Sequence, residues 1–166
     1  AATVALGADP ETIIAGLAEA RSLGGRLRQR RSSCGALIID DTYNASPLSM
    51  KAALDVLSGC SGPRIAVLGH MAELGSFAPE SHRQVGDYAR GRADELWVMG
   101  AWAADYASGF GPACRRLASV DEAVALLRER LDPRTTVLIK GSRSAGMERV
   151  VQGIVEIERG IEGSKA

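Results

Sequence analysis

Hydrophobic and polar positions alternate along this chain at two periods. Short apolar runs recur at 36–39 (ALII), 64–68 (RIAVL), 95–99 (ELWVM) and 136–139 (TVLI), each closed by polar or glycine residues. Runs of this length without internal polar positions fit strands buried on both faces, as in a parallel sheet. Residues 114–117 fit a further short strand. Between the runs the spacing changes to that of helices, predicted at 47–57, 79–90, 101–108, 120–131 and 146–159. The clearest is 120–131. Val120, Ala123, Val124, Leu127 and Leu131 share one stripe, and Ser119 with Glu122 three residues on makes a capping box. Strand–helix alternation of this kind predicts right-handed crossovers and an α/β fold: a doubly wound, mostly parallel sheet with helices on both faces.

The chain is organised around ALIIDDTYNASPLSM, residues 36–50. Leu37, Ile38 and Ile39 run into Asp40 and Asp41. A polar turn follows, and Ser46 with Pro47 opens a helix as N-cap and first helical residue. Ahead of it, Asp9-Pro10-Glu11 starts a helical pattern with Ile13, Ile14 and Leu17 on one stripe, ended by Gly24-Gly25. The basic stretch 26–33 (RLRQRRSS) fits an edge strand or a linker.

Composition narrows the function. Among 166 residues, twenty basic and twenty acidic side chains cancel, which gives no basic field for nucleic acid. No apolar run has the length of a membrane span, and the first residues lack a signal-peptide layout. The opening AATVALG has the pattern of a helix inside a longer protein. Cys34, Cys60 and Cys114 are odd in number and far apart, which fits reduced thiols in the cytoplasm better than disulfides or zinc.

Chemistry collects in the loops after three strands: Asp40–Asn44, 69–75 (GHMAELG) and 140–143 (KGSR). In a parallel sheet all three meet at one edge, where such folds bind ligands. Acids at a strand end suit ribose hydroxyls, with Tyr43 and Asn44 placed to stack on or bond a base. An Asx-type turn at Asp41 and Asn44 explains the same residues, and spacing alone weighs the two equally. Lys140, Gly141, Ser142 and Arg143 precede the last helix, where amide N–H groups and a guanidinium attract an anion. The competing reading is a tie from Arg143 to Asp40 or Asp41. His70 and His82 are isolated and no metal is assigned; Trp97 and Trp102 read as packing. There is no G-x-x-x-x-G-K-[ST] and no nucleophile–base set, so no catalytic residue is assigned in this chain.

Three ordered segments, DDTYNASPLSMKAAL, AVLGHMAELG and VLIKGSRSAGMERVV, closely resemble the C-terminal part of the Mur ligases, above all the branch that adds D-alanyl-D-alanine. The resemblance covers nearly the whole chain. It implies closing helices of a central ATPase domain over residues 1–24 and a Rossmann-like C-terminal domain over 25–166, with Gly25-Arg26 matching the family's hinge element. It further implies a cytoplasmic ATP-dependent ligase of peptidoglycan synthesis. ATP phosphorylates a carboxylate of the UDP-linked muramoyl tripeptide, and the amine of D-alanyl-D-alanine attacks the acyl phosphate. Mg2+ is held mainly by the central domain. By motif, Arg26, Asp41, Tyr43 and Asn44 fall to the nucleotide, and Lys140, Gly141, Ser142 and Arg143 to the amino substrate. The implied partners are these small molecules and the protein's own N-terminal and central domains, in a monomer.

Two departures stand out. His70 occupies a position where the family usually has an acid, and the Asp-Asn-Pro-Arg tetrapeptide of the preceding ligase is absent. The rival readings are a receiver domain and a free-standing nucleotide-binding module. A receiver needs an Asp at the end of a central strand, where this chain has Gly69-His70. The helix-like opening at Ala1 counts against the free-standing module.

Overall fold

The computed structural model describes residues 25–155. The helix expected over 9–24 lies outside them. Six strands form one sheet: β1 (Arg28–Arg31), β2 (Leu37–Asp41), β3 (Arg64–Leu68), β4 (Glu95–Met99), β5 (Cys114–Leu117) and β6 (Thr136–Lys140). Their order is β1-β2-β6-β3-β4-β5, with β1 antiparallel to β2 and the other pairs parallel. The basic stretch therefore forms an edge strand. An antiparallel edge needs only one face of apolar contact, so a strand of sequence RQRR is tolerated there.

The helices are α1 (Pro47–Ser58), α2 (Ala78–Ala89), α3 (Ala103–Phe110), α4 (Val120–Arg130) and α5 (Glu148–Ile154). Successive strand residues point to opposite faces, and two cores result. Ile39, Ala66, Leu68, Leu96, Val98 and Leu138 meet α1, α2 and α3; Ile38, Ile65, Val67, Trp97, Val137 and Ile139 meet α4 and α5. The sheet is doubly wound as expected. Each buried Leu, Ile or Val contributes about 1.5–3 kcal/mol, so the two cores carry the fold.

The site edge is built by local chemistry. Ser46 caps α1: its hydroxyl accepts from Ser49 N–H, and the Ser49 hydroxyl accepts from Ser46 N–H at 2.9 Å, with Pro47 in the first turn. On the same face α2 and α3 approach closely through Gly86 and Gly109. A Cβ on Gly86 would lie 2.1 Å from the Tyr106 carbonyl oxygen, and one on Gly109 2.0 Å from that of Arg83.

One element differs from expectation in a way that matters. The last helix was expected over 146–159, directly behind Ser142. Instead Arg143–Ala145 form a 3-10 turn, Gly146 is left-handed (φ 63°), and α5 begins at Glu148 and ends at Ile154. Val155 is extended and bridges to Ser32. A left-handed glycine interrupts the helical run, so Gly141 and Ser142 do not abut a helix N-terminus.

Candidate functional site

Two clefts open at the carboxyl ends of β2, β6 and β3. They share a wall, Tyr43–Asn44–Ala45–Ser46.

The first cleft, about 450 Å³, has Asp41 and Lys140 at its floor. These two residues are register partners on adjacent parallel strands, so their side chains lie on the same face. Lys140 Nζ donates to Asp41 Oδ2 at 2.6 Å and to the Asn44 carbonyl at 2.9 Å. The Lys140 side chain is 3% exposed and that of Asp41 12%. Leu27 N–H donates to the other oxygen, Oδ1, at 3.1 Å. Leu27 reaches it in the left-handed region (φ 49°), which a branched side chain rarely adopts. Gly25 makes this possible. It too is left-handed (φ 75°), its carbonyl accepts from Tyr43 N–H at 2.9 Å, and a Cβ there would lie 2.9 Å from Tyr43 N. Above the floor, the Arg26 guanidinium lies 4.4 Å from the centroid of the half-exposed Tyr43 ring. The Asx turn belongs to Asp40: its Oδ1 accepts from Thr42 Oγ1 at 2.7 Å and Thr42 N–H at 3.3 Å.

The second cleft, about 860 Å³, lies between two loops: Ala72, Glu73 and Leu74 on one side, Ser142, Arg143 and Ser144 on the other. Arg143 is exposed and makes no ion pair with any described residue. His70 Nε2 and Ser144 Oγ are 2.9 Å apart, and Ser144 Oγ and Ser142 Oγ 3.1 Å. The loop 69–75 is pinned from behind. The Tyr106 hydroxyl donates to the Gly69 carbonyl at 3.0 Å, and His82 Nε2 accepts from Met71 N–H at 2.9 Å. Burial lowers the His82 pKa below the usual histidine range and raises that of Tyr106 far above the usual phenol.

Arg26, Asp41, Tyr43 and Asn44 thus stand together in the first cleft. Ser142 and Arg143 stand together in the second. Lys140, grouped with them by sequence, is held by its register in the first cleft, and it makes the tie to Asp41 that was weighed for Arg143. Gly141 lines neither cleft. It is buried, and a Cβ on it would lie 2.6 Å from Met147 Cγ, so its smallness lets the two loops approach. Sequence reasoning missed His82 and Tyr106. The signal was present for His82: it falls on the stripe Ala78, His82, Val85, Gly86, Ala89, a polar residue on a buried helix face. Among the described residues no group of three or more His, Cys, Asp or Glu side chains gathers that could hold a metal ion.

A doubly wound sheet with two adjoining clefts at the carboxyl ends of its strands has the architecture of an α/β ligand-binding domain. The family model of the Mur ligase, glutamate ligase domain matches residues 25–143, and the chain belongs to that family. It is 38% identical over 160 residues to UDP-N-acetylmuramoyl-tripeptide–D-alanyl-D-alanine ligase of Escherichia coli (strain K12), covering 94% of this chain and 35% of that protein. MurF from Acinetobacter baumannii superposes with a TM-score of 0.79 at 32% identity, covering 90% of this chain and 34% of that one. MurF from Thermotoga maritima in complex with ADP gives 0.73 at 29% identity, covering 84% and 32%. The chain spans about a third of the length of these relatives.

Proposed function

We propose that this chain is the C-terminal domain, over 25–166, of an ATP-dependent ligase that joins D-alanyl-D-alanine to a UDP-N-acetylmuramoyl-tripeptide, with residues 1–24 closing the preceding domain. The observation that carries the reading is the pair of clefts sharing the wall from Tyr43 to Ser46. Ligation through an acyl phosphate needs nucleotide and incoming amine side by side, and this edge offers one receptor for each.

In the first cleft Asp41 is an acceptor only, matched to the O–H donors of a ribose. Each of its oxygens accepts one internal bond and keeps a lone pair. Lys140 holds the carboxylate in place, and the Tyr43 ring with Asn44 offers a surface for the base. In the second cleft Arg143 receives the dipeptide carboxylate. The amine of that dipeptide must be free and uncharged to attack, so the protein grips the opposite end, and a guanidinium does so bidentately. Ser142 and Ser144 supply hydroxyls beside it. The phosphate-gripping residues and Mg2+ ligands belong to the rest of a cytoplasmic, monomeric enzyme, since no G-x-x-x-x-G-K-[ST] occurs in these 166 residues.

The test is Arg143→Ala in the full-length enzyme. KM for D-alanyl-D-alanine rises about tenfold to a hundredfold, the worth of one charge-assisted pair, and KM for ATP holds. A rise in KM for ATP alone would move Arg143 to the phosphates and overturn the assignment of the second cleft.

A further inference from the structure

We infer that His82 is a positioning residue for the second cleft: its neutral imidazole clamps the loop after β3 in the shape that forms the cleft wall. The inference rests on the reading that this cleft takes the amino substrate.

Four backbone anchors within Gly69–Met71 fix the start of that loop. Gly69 N–H donates to the Lys140 carbonyl at 2.8 Å, and the Gly69 carbonyl accepts from the Tyr106 hydroxyl at 3.0 Å. The His70 carbonyl accepts from Ser142 N–H at 2.9 Å, and Met71 N–H donates to His82 Nε2 at 2.9 Å. Two anchors tie the loop to β6 and its successor; the other two tie it to α3 and α2. Beyond the last anchor the chain turns through Glu73, which is left-handed (φ 62°), and there Ala72, Glu73 and Leu74 become the wall facing Ser142, Arg143 and Ser144. A left-handed non-glycine residue persists only where its surroundings hold it. The Met71–His82 bond holds it from the strand side, and Phe77 N–H, donating to the Leu74 carbonyl at 3.0 Å, holds it from the other.

The partners fix the state of the ring. His82 Nδ1 lies 2.6 Å from the Ala78 carbonyl, which can only accept, so Nδ1 carries the proton. Met71 N–H can only donate, so Nε2 must be bare. Only the neutral Nδ1–H tautomer satisfies both. The side chain is wholly buried, with Trp102 stacked at 5.8 Å and Tyr106 edge-on at 4.8 Å, so the ring has no room to turn away. A proton on Nε2 would set two N–H donors against each other and leave Met71 N–H without a partner. The titratable groups facing the ring are Asp105 and Tyr106 on α3 and His70 on the loop. Burial, the largest influence, opposes protonation, as does His70; the bond to the Ala78 carbonyl and the charge of Asp105 favour it.

The experiment compares wild type with His82→Phe in the full-length enzyme. Phenylalanine keeps a ring between Trp102 and Tyr106 but offers no acceptor. At about pH 8, KM for D-alanyl-D-alanine rises about tenfold and KM for ATP stays within about twofold. Protonation of the dipeptide's own amine affects both proteins alike, so the ratio of their KM values isolates His82. That ratio falls toward one only as pH is taken well below the ordinary histidine range, because burial delays protonation of His82 and only then does acid remove from wild type the bond that the variant never has. Hydrogen exchange across 69–75 is faster in the variant than in wild type. In wild type it also quickens, relative to β3, over the same fall in pH, a readout that stands if the variant does not fold.

Unchanged KM for the dipeptide in a folded variant, or an equal rise in both KM values, overturns the inference. Arg143→Ala measured alongside separates the two claims. If it raises KM for the dipeptide while His82→Phe does not, the cleft reading stands and the clamp falls. If neither does, the cleft reading falls too.

Discussion

The two clefts sit against one another and hold their charges by opposite means. In the first, the cation on the floor is spent internally: Lys140 is buried against Asp41, both stand on strands, and their alignment follows from the β2–β6 register, while Arg26 lies over the Tyr43 ring. In the second, the cation is left over: Arg143 is exposed on a loop and pairs with no described residue. Strand-borne groups are placed by the sheet itself. Loop-borne groups are placed by whatever pins the loop, here His82, Tyr106 and the close approach of Gly69 and Gly141 under Met147. The contrast separates two kinds of substitution: damage to the Asp41–Lys140 pair registers first as lost stability, damage to Arg143 as lost binding alone.

Lys140→Ala is the largest expected effect. It leaves the Asp41 carboxylate buried with only the Leu27 amide, and breaking one side of a buried pair costs about 3–5 kcal/mol. Chemical denaturation of the purified protein measures it. The double variant Asp41→Asn/Lys140→Met recovers most of the loss, since removing both charges leaves no ion uncompensated. Recovery of none of it would mean that the pair is not the source of the cost.

Gly25→Ala comes next. The substitution demands φ near 75° from a residue with a Cβ and drives that atom toward Tyr43 N. A cost of about 1–3 kcal/mol follows, the usual range for such strain. Nucleotide affinity falls with it, because the Gly25–Tyr43 bond sets both Arg26 and the ring. An intact KM for ATP would detach Gly25 from the proposed nucleotide cleft.

The first cleft was largely legible in the sequence and the second only in part, for a physical reason. Leu37, Ile38 and Ile39 running into Asp40 and Asp41 announce a buried strand with acids at its end, and strand ends in a parallel sheet have a known address. Nothing local states that Lys140 aligns with Asp41, because register is a property of two strands that lie ninety-nine residues apart at their pairing side chains. Nor did the pattern after β6 reveal the left-handed Gly146, so a helix was read where a 3-10 turn stands, and with it an anion site at a helix start that the fold does not build. Arg143 keeps its charge and exposure but not that support. His82 was visible as a misfit on an apolar stripe; its meaning required Met71 N–H, eleven residues away, to be seen beside it. The cap at Ser119 illustrates the easier case, in which the partners are local: Glu122 N–H donates to Ser119 Oγ at 3.1 Å, although the expected box is only half made, because the Glu122 carboxylate accepts from Ala118 N–H rather than from Ser119 N–H.

At the shared wall, Tyr43→Ala is expected to cost about 0.5–1 kcal/mol of stability, the worth of an exposed cation–π contact with Arg26. Its effect on KM for ATP exceeds its effect on KM for the dipeptide if the ring serves the base. Equal effects would assign the wall to both ligands.

The smallest stability effect is the sharpest edge of the comparison. Arg143 is exposed and unpaired among the described residues, so Arg143→Ala changes the unfolding free energy by less than about 0.5 kcal/mol. Lys140→Ala, which removes a cation only three residues earlier, costs several times more. Arg143→Lys refines the point. It keeps the charge and loses the planar fork, so if the bound group is a carboxylate held bidentately, lysine recovers only part of the affinity lost in alanine. Full recovery by lysine would show that charge alone is read, and the second cleft would then be a general anion funnel rather than a carboxylate receptor. A fall in stability like that of Lys140→Ala would remove the distinction between the clefts altogether, for Arg143 would then be held in the fold by partners of its own.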